Sequence, residues 1–169
     1  ERSVADKHME FMMSVYQKQA DEGRYFLHEH PAYASSWGLK SVLKIAAIGG
    51  VSTVIGDQCQ YGQQTTDTAE PILKPTKWMS NSEEILKMLG RRCNGRQGWC
   101  SRPQGGKHRV CSGRHTRLAA VYPLRLCKAI LYGCRNQLRE DGRYVVGLIG
   151  MQPKMEDGMT DAALERRVR

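Results

Sequence analysis

The stretch WGLKSVLKIAAIGGVSTVIGD, residues 37–57, decides the reading of the fold. Trp37 to Ile48 has helical spacing and is closed by Gly49-Gly50, and Val51-Ser52-Thr53-Val54-Ile55 then reads as a strand ending at Gly56-Asp57. Upstream, Met9, Met12, Met13, Tyr16 and Ala20 fall on one helical face across residues 4–20, and Gly23 stops that helix. Arg24-Tyr25-Phe26-Leu27 is short and aromatic-rich, as a buried strand is. Helix, strand, helix, strand with short turns predicts a parallel sheet covered by helices, an α/β fold.

Downstream, residues 58–76 are polar and aperiodic and read as a loop. Lys77-Trp78-Met79 reads as a short strand. Ser80 and Glu83 stand at capping-box spacing before a short helix that Gly90 ends. Pro123 suits the first turn of a further helix whose Leu126, Cys127, Ile130, Leu131, Cys134 and Leu138 share a face. Asp141-Gly142 turns the chain into a last strand, Tyr144 to Ile149. The division expected is an α/β half over 1–90, a Cys/His-rich basic insertion over 91–121, a completing helix and strand over 122–150, and a charged tail over 151–169. A start at Glu1, with a helical pattern already running, is what a chain cut from something larger would show. The longest apolar run, Val42 to Ile55, is broken by Lys44, Gly49 and Gly50, so neither a membrane span nor a signal peptide is expected.

At 169 residues, 40% apolar and 25% charged, the chain can build one core. Its net charge of +9 is concentrated. Residues 87–139 hold thirteen of the 26 Lys and Arg and no Asp or Glu. Such a block attracts polyphosphate by releasing counterions, and Arg91, Arg92, Arg96, Arg102, Lys107, Arg109, Arg114 and Arg117 are the candidate contacts to RNA or DNA. The competing reading is a solvated basic face. Trp78 and Trp99 are candidates to stack on unpaired bases.

Within that block lies Cys93-x6-Cys100-x7-His108-x2-Cys111-x3-His115. Residues 91–117 carry almost no aliphatic side chain, so hydrophobic burial cannot order them. Four soft donors around a structural zinc can, and the expected ligands are Cys93, Cys100, His108 and Cys111, with Cys59 or His115 as further candidates. Free thiols and disulfides stand as alternatives. Helix-facing Cys127 and Cys134 read as free buried thiols, which points to a reducing compartment: nucleus, cytoplasm or organelle matrix.

His28-Glu29-His30-Pro31 follows the first expected strand, where α/β sheets gather ligand-binding groups. Glu29 could hold or protonate a ring nitrogen there. A polar turn satisfying local backbone groups is the competing reading. Strand alternation puts His28 and His30 on one face and Glu29 on the other.

Gly23 to Pro31, Gly56 to Gly62, Lys74 to Ser82 and the Arg-rich run through Tyr122-Pro123 together resemble a segment of retrotransposon-type polyproteins abundant in dinoflagellate and some fungal genomes. The resemblance spans roughly residues 8–150. It implies the second half of a methyltransferase-like Rossmann domain, distantly similar to cytosine-C5 DNA methyltransferases, with Glu29 standing where that class keeps the glutamate that contacts cytosine. The glycine loop and the Pro-Cys nucleophile of such enzymes have no counterpart in these residues, so catalysis by this chain alone is not expected. The expectation is a nucleic-acid-binding, zinc-stabilised fragment of a retroelement-derived protein. The alternative is a domesticated structural subunit of a large assembly, using the basic patch on RNA or on an acidic protein partner.

Overall fold

The computed structural model describes residues 2–109, 111 and 120–143. Among them the chain forms four α-helices and a three-stranded sheet: α1 (Arg2–Asp21), β1 (Leu27–Pro31), α2 (Lys40–Ala46), β2 (Ser52–Asp57), β3 (Pro75–Ser80), α3 (Glu83–Leu89) and α4 (Leu124–Glu140). None of the described helices is long and apolar enough to cross a membrane.

The sheet is α/β in class but not parallel. Its order is β1-β3-β2 and both pairings are antiparallel, with Glu29 opposite Trp78 and Val54 opposite Trp78 on the other side. β1 and β2 therefore run in the same direction, as their helical connection dictates, but β3 returns between them and separates them. The arrangement is a split β-α-β unit. The parallel sheet expected from the alternating elements is not formed by the described strands.

β3 positions both cores, because successive side chains leave a strand on opposite faces. Met79 points to the layer of α1 and α2, where Met13, Phe26, Val42 and Ile45 are buried and Met9, Met12 and Tyr16 pack on them. Trp78 points to the layer of α3 and α4, among Tyr61, Ile85, Leu86, Leu89, Leu126 and Ala129. The result is a three-layer stack, helices on each side of the sheet. Gly133 of α4 lets the two outer helices meet: a Cβ there would stand 2.6 Å from the Cα of Ile85. Leu131, expected on the packed face, is exposed instead.

Several boundaries differ from expectation for identifiable reasons. The first strand begins three residues later than read, since the register with β3 starts at Leu27. His28, Glu29 and His30 are thus strand residues, not a turn, and Pro31 is tolerated because β1 is an edge of the described sheet. The expected helix over 37–48 is split by Leu39, whose ψ of 138° is extended, into a 3-10 turn (Ser35–Gly38) and α2. The cap of α3 is Ser82, which accepts from the Ile85 amide, while Ser80 is buried and donates to the Phe26 carbonyl. The expected strand over 144–149 and the tail over 151–169 lie outside the described residues.

Candidate metal centre

β2 ends in Asp57, and a 3-10 turn (Gln58–Tyr61) follows, closed by Gly62 at φ 92°. That turn buries Cys59 completely, with 0% of its surface exposed. After α3 the chain returns beside the end of β2, where the Asp57 amide donates to the Arg91 carbonyl at 2.8 Å. One Asp57 carboxylate oxygen accepts from the Cys93 amide at 2.7 Å and from Arg92 Nε at 2.9 Å. Its other oxygen is buried without a partner. The buried acid therefore fixes where Cys93 begins.

Residues 98–108 then double back on themselves. Trp99 pairs antiparallel with Lys107, the Cys100 amide donates to the Gly106 carbonyl at 2.8 Å, and the His108 amide donates to the Gly98 carbonyl at 2.7 Å. Gly105 and Gly106, at φ 61° and 96°, supply the left-handed backbone of the turn. This small ribbon docks on the 63–74 loop through the Arg109 amide, which donates to the Pro71 carbonyl.

The two segments bring Cys59, Cys93, Cys100 and His108 together, with one donor atom from each lying within 4.8 Å of every other. Cys93 Sγ is 3.9 Å from Cys100 Sγ and 3.6 Å from His108 Nε2. Three thiols and an imidazole at such spacing can hold a metal ion. All six cysteines are free. Three of the four expected ligands are in the group. Cys111, the fourth, is outside it, and Cys59 takes the place because the strand-end turn, not the next residues in sequence, closes over the other three. His115 lies outside the described residues. Among residues 91–109 only Cys100 is buried, so the ribbon has no hydrophobic core of its own.

Hydrogen-bond donors reach all three sulfurs, but only Cys93 is shifted towards the thiolate. Gln60 Nε2 donates to Cys59 Sγ and Cys100 Sγ at 3.7 and 3.6 Å, and the amide and hydroxyl of Ser101 reach Cys93 Sγ at 3.4 and 3.5 Å. Burial opposes ionisation of Cys93, but hydrogen bonds from Ser101, Gly95 and Cys100 together outweigh it and bring the thiol down to about 7. Burial pushes Cys59 and Cys100 up, and the Cys93 thiol adds to it at both. Burial also lowers His108, so it is the neutral imidazole that metal coordination requires. Asp57, Gln60 and Ser101 were not singled out as supporting residues from the sequence. A strand-end position for Asp57 was the available signal.

The expected phosphate contacts are placed unequally. Arg92 is tied to Asp57, Arg109 to Glu70, and Arg102 to Gln64, the Ala69 carbonyl and the Gly105 carbonyl. Arg91 is half-buried over the Tyr61 ring. Arg96 and Lys107 are exposed on the ribbon. Arg114 and Arg117 lie outside the described residues. Trp78 is core, 1% exposed, which removes it as a stacking residue, whereas Trp99 is 57% exposed.

Glu29 lies mid-strand on the α3 and α4 face, half-buried, and hydrogen-bonds Tyr122, whose phenol is raised by burial first and by Glu29 second. His28 sits on the opposite face against Tyr16, His30 and Trp37. The three do not form one site. No family model, curated protein or solved structure matches the chain.

Proposed function

We propose that the chain is a zinc-organised module that binds nucleic acid through the phosphate backbone. The observation that carries this is the convergence of four soft donors under a ribbon that has cations and no core. A tetrahedral zinc with bonds of about 2.3 Å to sulfur and 2.0–2.1 Å to nitrogen sets ligand–ligand edges of about 3.8 Å (S–S) and 3.6 Å (S–N). The Cys93–Cys100 and Cys93–His108 spacings of 3.9 and 3.6 Å suit those edges without rearrangement. Four protein donors leave no open position, which favours a structural ion over a catalytic one.

The zinc fixes the ribbon, and the ribbon presents Arg96 and Lys107, while Arg125 and Lys128 of α4, in the same acid-free block, are also exposed. Arg92, Arg102 and Arg109 serve the fold first and phosphate second. The contacts are to backbone charge and not to base edges, so the module discriminates little among sequences. Three free thiols at the site favour a reducing compartment.

A retroelement-derived, methyltransferase-like parent with a Rossmann-like sheet is the second part of the proposal, and it rests on the motifs at 23–31, 56–62 and 74–82. The antiparallel order of the described strands weighs against it. The metal and nucleic-acid readings do not depend on it.

The test is a titration of zinc-loaded protein against duplex and single-stranded oligonucleotides across a salt series. About four phosphate contacts predict a log–log slope of roughly −3 to −4. Affinity insensitive to salt, or no binding, would contradict the reading.

A further inference from the structure

Trp99 is the one large apolar side chain of the ribbon, and it is more than half exposed although its main chain is pinned on every side. Its amide donates to the Arg96 carbonyl at 2.9 Å, and the bonds of Gly98 and Cys100 to His108 and Gly106 lock the residues before and after it. Gly95 packs directly beneath: a Cβ there would fall 1.8 Å from the Trp99 carbonyl oxygen. Gln97 and Gly98 are both left-handed, at φ 52° and 81°, a costly conformation for glutamine that persists because the ribbon imposes it. Two of the metal-site donors, Cys100 and His108, lie next to Trp99 and to its cross-strand partner Lys107. An indole held outward by so rigid a mount is presented, not merely left over.

Its neighbours define what it is presented to. Lys107 stands directly opposite it, on the same face of the ribbon, where cross-strand side chains are about 5 Å apart. The Lys107 stem lies along Gly98, 3.9 Å from where a Cβ would be. Arg96 is exposed one turn before. A flat aromatic face flanked by two cations matches a base flanked by two phosphates. A duplex offers no free base face, since each is already stacked. Single-stranded nucleic acid does.

Resting on the nucleic-acid reading above, we infer that Trp99, with Lys107 and Arg96, is a stacking platform for one unpaired base, and that the partner is single-stranded RNA or DNA. The cations follow the backbone on either side of the stacked base, and the metal centre keeps the platform in place. Trp78 and Trp37 take no part.

The test is fluorescence anisotropy with labelled oligo-dT and oligo-U of about 10 nucleotides, a common site size for such surfaces, and with a duplex of equal charge. Zinc-loaded wild-type, Trp99→Ala and Trp99→Phe proteins are compared, each checked for bound zinc. The expected result is tighter binding of single strands than of duplex. Trp99→Ala should then lower single-strand affinity by about 5- to 150-fold, the span of one base–aromatic stack, while duplex affinity stays within about twofold and Trp99→Phe keeps most of the wild-type value. Oligo-dT against oligo-U separates DNA from RNA as the partner. Salt-dependent binding in which Trp99→Ala changes nothing, or weakens duplex and single strand alike, overturns the platform and leaves the phosphate reading standing. Absence of binding to any probe overturns both.

Discussion

Replacing Cys59 with alanine should cost far more metal affinity than replacing Cys111 with alanine, although Cys111 is the closer of the two in sequence to His108. Cys59 is completely buried and its sulfur lies within 4.8 Å of the donors of Cys93, Cys100 and His108, whereas Cys111 is half-buried and outside that group. Structural zinc sites in small modules are worth about 10–16 kcal/mol in apparent binding free energy. Shared evenly over four ligands this is about 2.5–4 kcal/mol each, so Cys59→Ala should weaken zinc binding by roughly 100- to 1000-fold, while Cys111→Ala should stay within about twofold. A competition titration against a chromophoric chelator measures both. The fold should survive Cys59→Ala, since losing one small side chain typically costs about 1 kcal/mol, and circular dichroism of the metal-free proteins checks this. Loss in Cys111→Ala but not in Cys59→Ala would show that Cys111, not the buried Cys59, completes the site. No loss in either would show that the four donors hold no ion.

Asp57→Ala removes the acceptor that fixes the Cys93 amide and should lower zinc affinity about 10- to 100-fold, as supporting-shell changes do; isothermal titration with zinc measures it. Gly133→Ala drives a methyl group into the backbone of α3 at Ile85 and should destabilise the protein by about 1–3 kcal/mol in urea unfolding, with zinc stoichiometry unchanged. His28, 7% exposed, is held down to about 4 by burial and then by His30, below the ordinary value of 6.5. The unfolded chain therefore binds this proton first. Stability should be full above pH 6.5 and fall by at most about 3 kcal/mol as the pH drops to 4, a slope that His28→Gln should remove from the pH series of unfolding midpoints.

Much of the fold could be read from local pattern, because helices and strands announce themselves by the spacing of apolar residues. Met9, Met12 and Tyr16 do lie on the packed face of α1, and Gly90 does follow the end of α3. Strand alternation also separated Glu29 from His28 and His30 correctly. What local pattern does not carry is pairing. Pro75, Thr76 and Ser80 dilute the apolar signal of β3, so the strand that organises both cores looked like a three-residue fragment, and the insertion of β3 between β1 and β2 was invisible. The same limit governs the site. Cys93, Cys100 and His108 are joined by one ribbon and were legible as a local cluster. Cys59, a further candidate from the loop after β2, belongs to the group in place of Cys111, and the Asp57–Cys93 contact that sets the two segments side by side exists only in the folded chain. The lack of greasy side chains in residues 91–109 was readable at once, and it is what made a metal the natural organiser of that segment.

X-ray absorption at the zinc edge, on protein purified without chelator, addresses the metal centre itself. One zinc per chain is predicted, with about three sulfur neighbours near 2.3 Å and one nitrogen near 2.0–2.1 Å. Sub-stoichiometric zinc, or a first shell made of oxygen and nitrogen alone, would contradict the account.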